Sequence, residues 1–177
     1  MQALYFILSF LLPLVVVVFL LRALMPLVRA DFRNPLGEFV LKVTNPVVAP
    51  LRKVLPPGKR FDLASIAAVF VVQFTGTALL HLFAGHGFRL DLVLIAGLLG
   101  LLLTVLQLYF FAVLAYAVLS WFADARYNPA AQILTRIVEP VLTPIRKVIP
   151  PLGSLDLSAL VLLIALQFAM RLVQNLL

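Results

Sequence analysis

Long apolar stretches alternate with shorter polar, proline-rich stretches along this chain. Four of the apolar stretches approach or exceed the about 20 residues that a helix needs to cross a hydrocarbon core, so they predict four membrane-spanning helices. The first stretch lacks a basic leader and a small-residue cleavage site, which favours a retained span over a signal peptide. The predicted spans are residues 3–28, 62–84, 90–122 and 156–174.

Two polar segments, residues 34–57 and 128–151, each follow an odd-numbered span. Apolar residues recur in them at three- and four-residue spacing opposite charged residues, which predicts an amphipathic helix lying at the membrane interface. Because proline lacks an N–H, Pro46 and Pro50 are expected to divide the first of these helices into two short pieces. The predicted apolar stripes are Leu36, Phe39, Val40, Val43, Val47 and Leu51, then Ile133, Leu134, Ile137, Val141, Ile145 and Val148.

The two polar segments are copies of one unit. A shift of 94 positions, from Asn34 to Asn128, aligns them without a gap and continues through Gln73 and Gln167. We interpret this as an internal duplication, with one repeat in residues 1–87 and the second in 88–177. Each repeat then supplies two spans, so the copies run parallel in the membrane. The repeat-defining residues are Asn34, Pro35, Pro46, Pro50, Pro56, Pro57 and Asp62, matched by Asn128, Pro129, Pro140, Pro144, Pro150, Pro151 and Asp156.

The unit reads N-P-x10-P-x3-P-[LI]-R-K-[VI]-[LI]-P-P, followed by D-L and a span. It resembles the repeat of the YggT family of bacterial membrane proteins, called YlmG in cyanobacteria and plastids. The first copy departs from the family's usual P-P-L-G-G-[IL]-D at residues 58–60, whereas the second is closer to it. The resemblance implies an all-α protein of the bacterial inner membrane.

Composition agrees with a membrane protein and excludes several chemistries. Of the 177 residues, 64% are hydrophobic and 12% are charged, against about 45–50% and about 25% in soluble domains. The absence of cysteine excludes disulfides, thiolate metal sites and a cysteine nucleophile. Catalytic triads and phosphate-binding glycine loops are also absent, so we expect neither an enzyme nor a cofactor.

The formal net charge is +7. Most of the lysines and arginines lie in or beside the two polar segments, so the positive-inside rule predicts that both segments are cytoplasmic and both termini periplasmic. The basic segments contain too few aromatic residues for nucleic-acid recognition, and no contact with nucleic acid is expected.

Four repeated cations are candidates for contact with anionic lipid headgroups or a partner protein: Arg52, Lys53, Arg146 and Lys147. Plain topological anchoring is the other interpretation of these residues. The paired acids Asp62 and Asp156 stand at predicted helix starts, where a carboxylate caps free backbone N–H groups.

Polar residues inside the spans are further candidates. The mid-span glutamines Gln73, Gln107 and Gln167 favour interhelical hydrogen bonds, with an ion path as the alternative. Arg22, late in the first span, is expected to extend to the cytoplasmic interface rather than to be buried. His81 and His86 have no third ligand in the pattern, so no metal site is predicted.

Two classes of function remain open. The resemblance to YlmG implies a membrane organiser or assembly factor linked to cell division, nucleoid distribution and, in plastids, assembly of a photosynthetic cytochrome complex. The resemblance to YggT also implies ion handling, through potassium uptake and tolerance of hyperosmotic stress. Small-residue faces such as Ala96 and Gly100 favour a homo-oligomer or a membrane partner protein.

Overall fold

The computed structural model describes residues 2–28, 34–55, 61–85, 88–120, 129–149 and 156–177, and these form helices and short connections without a strand. The helices are α1 Gln2–Leu27, α2 Pro35–Val54, α3 Leu63–Phe83, α4 Leu90–Leu119, α5 Pro129–Val148 and α6 Leu157–Gln174.

Helices α1, α3, α4 and α6 are long and apolar enough to cross a membrane, which confirms the four predicted spans. With 30 residues, α4 is the longest of them; it extends about 45 Å, against about 30 Å for the hydrocarbon core. Large apolar side chains on these helices face outward, among them Phe10, Phe111 and Ile164. An apolar surface of this extent suits lipid rather than water.

The two copies pack in the same way. Helix α1 packs along α3 and α4 packs along α6, while α3 and α4 join the halves. Val16, Phe19 and Ala68 form the core of the first copy, and Val113, Leu142 and Leu162 form that of the second. A third cluster places Met25 of α1 against Ile133 and Ile137 of α5, so an interfacial helix also contacts the other copy.

Local sequence explains where the helices begin. The Asn34 side chain accepts a hydrogen bond from the Gly37 amide at 2.9 Å, and Pro35 follows at the first helical position, where a missing N–H costs nothing. Asp62 and Asp156 cap α3 and α6 in the same way, accepting from the Ser65 and Ser158 amides. The predicted capping roles of both aspartates are therefore confirmed.

The prediction that Pro46 and Pro50 divide the first of these helices into two pieces is wrong, since α2 continues through both prolines. Helix α5 likewise continues through Pro140 and Pro144. All four prolines are exposed. Their four-residue spacing puts each pair of prolines on one side of its helix. The backbone carbonyls four residues earlier lack an N–H donor from the prolines, and on this exposed side they remain open to solvent. Of the other repeat-defining residues, Pro56, Pro57, Asn128, Pro150 and Pro151, and the side chain of Pro129, lie outside the described residues.

Only part of the apolar stripe of α2 faces the protein interior. Its buried residues are Gly37, Val40, Thr44 and Val48, whereas the side chains of Phe39 and Val43 are exposed. The polar Thr44 belongs to the buried face, where it accepts a hydrogen bond from Arg22 of α1. In α5, Ile133, Ile137, Val138 and Leu142 are buried, whereas Val148 is exposed.

Candidate functional site: two arginine–aspartate pairs

In each copy, the repeated arginine of the interfacial helix bonds to the aspartate that caps the next span. Arg52 Nη2 donates to Asp62 Oδ2, which we call the first pair. Arg146 donates to Asp156 Oδ2 from Nη2 at 2.6 Å and from Nε at 3.1 Å, which we call the second pair. Each pair therefore ties an interfacial helix to the start of the following span, α2 to α3 and α5 to α6.

Both aspartates are held in the ionised form. Burial by itself would raise the pKa of Asp62, but hydrogen bonds from Arg52 and Ser65 outweigh it and lower the pKa below the ordinary value. For Asp156, burial by itself would likewise raise the pKa, but hydrogen bonds from Ser158 and Arg146 outweigh it and lower the pKa below the ordinary value. The carboxylates accordingly remain charged partners of the arginines at neutral pH.

The lysine next to each arginine has a different environment. Lys53 and Lys147 are exposed, and each is followed by a strongly exposed valine, Val54 at 78% and Val148 at 80%. We call the Lys53–Val54 and Lys147–Val148 ends the lysine–valine corners. Each corner presents a cation and an apolar side chain outward at the end of its interfacial helix.

The first copy adds a buried arginine to its pair. Arg22 is 1% exposed; it donates to Thr44 Oγ1 at 2.6 Å, to Asn45 Oδ1 at 2.9 Å and to Ser65 Oγ at 3.2 Å. Ser65 in turn donates to Asp62 at 2.7 Å. The expectation that Arg22 is not buried is wrong, because α2 covers its head group and supplies the acceptors that water would otherwise provide.

The second copy has a tyrosine where the first has Arg22, since a shift of 94 residues leads to Tyr116. Arg146 donates to the Tyr116 hydroxyl at 2.9 Å and lies over its ring at 5.7 Å from the centroid. Arg146 also pairs with Glu139 at 3.1 Å. The second pair is thus supported by a phenol and a second carboxylate rather than by a second arginine.

This difference between the copies is readable in the sequence. The polar residues Arg22, Thr44 and Ser65 stand where the second copy has Tyr116, Val138 and Ala159. Three linked changes to polar side chains in an apolar setting indicate one shared hydrogen-bonded network. That signal would have placed Arg22 inside the bundle.

The structure separates the three glutamines. Gln73 and Gln107 line one cavity, whereas Gln167 is exposed on the outer face of α6. The prediction of an interhelical hydrogen bond is wrong for Gln73, because its side-chain amide donates to Thr77 of its own helix at 3.2 Å. Among the described residues no group of three potential metal ligands occurs, and His86 lies outside them.

Comparison with known proteins agrees with the duplicated architecture. The CCB3/YggT family profile matches residues 1–83 and again 95–177, two segments displaced by the same 94 positions as the internal repeat. An uncharacterized protein of Pseudomonas aeruginosa is 39% identical over 165 residues, covering 92% of this chain and 83% of that protein. The uncharacterized protein YggT of Escherichia coli K12 is 36% identical over 166 residues, covering 94% of this chain and 86% of that protein.

A further uncharacterized protein, from Vibrio alginolyticus, is 38% identical over 172 residues, covering 96% of this chain and 92% of that protein. No solved structure matches the chain. Over the described residues, fold and site together define an all-α membrane protein with four helices long and apolar enough to cross a membrane and two further helices, α2 and α5. The chain belongs to the CCB3/YggT family.

Proposed function

We propose that the protein is a non-enzymatic organiser of the bacterial inner membrane, acting from the cytoplasmic leaflet on anionic lipids and a membrane partner protein. The observation that carries this proposal is the lysine–valine corner, which occurs at the end of both interfacial helices. The two arginine–aspartate pairs hold these corners against the spans.

The two cations of each repeated Arg-Lys motif have separate roles in this proposal. The guanidinium of Arg146 is engaged by Asp156, Glu139 and Tyr116, whereas Lys147 is exposed. A lysine close to an anionic membrane surface contributes about 1 kcal/mol of binding. The neighbouring Val148 has apolar surface to bury among acyl chains, so the corner combines charge attraction with insertion.

The charge distribution supports the cytoplasmic orientation. Lys42, Arg52, Lys53, Arg146 and Lys147 all belong to the interfacial helices, and cytoplasmic segments carry such an excess. Both termini are then periplasmic.

A single cysteine at the exposed Thr143 tests this orientation, because the chain has no other cysteine. Labelling of Thr143→Cys by an impermeant reagent in intact spheroplasts contradicts the orientation.

Lipid contact is tested by native mass spectrometry of protein released from mixed anionic and zwitterionic membranes. The double variant Lys53→Gln/Lys147→Gln is expected to retain fewer anionic lipids than the unchanged protein. Arg89→Gln/Arg171→Gln is the matched control, since it removes two cations near the opposite ends of the spans. Equal losses in both variants would show only a general charge effect and would contradict the proposal.

Partner contact is tested with a photoreactive residue at Val54 or Val148 in native membranes. We expect both positions to capture the same membrane protein, or a second copy of this chain as a homo-oligomer, and Lys53→Gln/Lys147→Gln to abolish capture. Leu98, 53% exposed on α4, is the control position and should yield lipid adducts. Capture that is unaffected by the lysine substitutions would separate the partner surface from the corners.

A further inference from the structure

A second polar site lies toward the ends of the spans nearest the two chain termini, away from the interfacial helices. A cavity of about 520 Å³ lies among α1, α3 and α4 and reaches the C-terminal Leu177. Its lining runs from Tyr5 and His81 near those ends to Gln73 and Gln107 at the middle of their helices. The volume is within the range of small-molecule sites, which is about 300–1,000 Å³.

The inner part of the cavity wall mixes apolar side chains with polar side chains that carry no formal charge. Hydroxyls of Ser9, Thr77 and Thr104 and the amides of Gln73 and Gln107 contribute to it, and the described lining contains no aspartate, glutamate, lysine or arginine. Moving an ion from water into such a wall costs far more than moving a neutral polar molecule, because no opposite charge compensates the lost hydration. The lining therefore favours an uncharged occupant.

The wall also contains a buried acceptor that lacks a donor. Gln73 is 3% exposed, and its Oε1 has no hydrogen-bond partner among the described residues. Buried acceptors of this kind normally have a partner. An occupant that donates a hydrogen bond would satisfy it.

Gly100 makes room for the Gln73 amide at the inner part of the cavity. A Cβ at position 100 would lie 2.9 Å from Gln73 Nε2, closer than such atoms approach. The glycine therefore lets the amide lie against α4 while Gln73 remains part of the lining.

We propose that this cavity binds a small uncharged molecule carrying several hydroxyl donors, of the polyol class, which enters from the side of the chain termini. The site extends beyond the proposed organising function, since it shares no residue with the arginine–aspartate pairs or the lysine–valine corners. Its test is therefore independent of lipid and partner binding.

The chain contains no cysteine, so single cysteines can report on the cavity in reconstituted membranes. Gln107→Cys reports on the inner part of the cavity, and Ala96→Cys lies on the same face of α4 and also lines the cavity. Leu102→Cys is the control, because Leu102 lies on the opposite face of α4 and is 46% exposed. The probes are a neutral hydroxyethyl thiosulfonate and a trimethylammonium thiosulfonate, with erythritol as the competing polyol.

We expect the neutral reagent to modify Gln107→Cys at least about tenfold faster than it modifies Leu102→Cys. At Gln107→Cys it should also react at least about tenfold faster than the cationic reagent, since the side chains of the inner wall offer no counter-charge. Erythritol should slow the neutral reaction at Gln107→Cys but not at Leu102→Cys. Adding Gln73→Leu should weaken this protection, because it removes the unpaired acceptor.

Several outcomes overturn the proposal. Equal rates at Gln107→Cys and Leu102→Cys would show that no aqueous cavity exists. Equal rates for the two reagents, or no protection by erythritol, would show an unselective water-filled space. Protection of Leu102→Cys to the same extent would show a general solvent effect. If Gln107→Cys does not fold, as judged by circular dichroism and size exclusion, Ala96→Cys decides the same questions.

Discussion

The two copies build the same arginine–aspartate pair into different surroundings. In the first copy Asp62 bonds directly to Arg52 and is linked through Ser65 to the buried Arg22. In the second copy Arg146 bonds to two carboxylates, those of Glu139 and Asp156. Duplication has therefore preserved the link between α2 or α5 and the following span but not the residues that surround it.

The arginine–aspartate bond is the same in both copies, whereas the residues that support the bond differ. Arg22 is a buried cation held by neutral oxygens and by one serine that leads to Asp62. Tyr116, at the equivalent position, has a hydroxyl that accepts from Arg146 directly. Loss of the aspartate should thus affect the first copy more, because it leaves a buried charge without its nearest counter-charge.

Substitution of the two aspartates provides the strongest test. Asp62→Ala should reduce the free energy of unfolding by about 3–5 kcal/mol, since it leaves Arg22 uncompensated and removes a helix cap. Asp156→Ala should cost about 1–2 kcal/mol, mainly the cap, because Arg146 keeps Glu139 and Tyr116. Denaturant unfolding in lipid–detergent mixtures measures both. Asp62→Asn, which retains a capping oxygen, is the control, and equal losses for the two alanine variants would refute the comparison.

Substitution of the two arginines should give the reverse order. Arg146 bonds to Asp156, Glu139 and Tyr116 and is 24% exposed, so Arg146→Gln should cost about 1.5–3 kcal/mol. Arg52 is 44% exposed and bonds to Asp62, so Arg52→Gln should cost less than about 1 kcal/mol. The same unfolding measurement applies, and a larger loss for Arg52→Gln would contradict the assignment.

Acidification should weaken both pairs. The folded-state pKa of Asp62 and of Asp156 is lowered, so their stabilisation is complete above the unfolded-state pKa of about 3.9 and is lost as the pH falls below it. Thermal unfolding followed between neutral pH and pH about 3 should show this decline. The decline should be smaller in Asp62→Asn/Asp156→Asn, and an unchanged pH profile in that variant would assign the acid sensitivity to other groups.

The exposed lysines should have the smallest effect on stability. Lys53→Gln and Lys147→Gln should change the free energy of unfolding by less than about 0.5 kcal/mol, because both side chains lie at the surface. A loss as large as that of Arg146→Gln would show that these lysines belong to the internal network rather than to the lysine–valine corners.

The sequence predicted the architecture well because its signals are local or repetitive. Four apolar runs, capping residues Asn34, Asp62 and Asp156, and the 94-residue shift each depend on neighbouring residues or on comparison of one copy with the other. The site was predicted only in part. Arg52 and Arg146 were recognised as repeated cations, but their intrachain bonds to the capping aspartates were not foreseen.

The sequence by itself determined the helices, their approximate ends and their apolar character, since hydrophobic run length and capping chemistry act along the chain. The tertiary structure decided which polar groups meet: Arg22 with Thr44 and Ser65, and Gln73 with Gln107 around one cavity. Equivalent positions in the two copies occupy the same place along their helices but have different neighbours, so Gln73 is buried while Gln167 faces outward. Burial and pairing depend on the packing of separate helices, and this packing decided which oxygens Arg22 contacts.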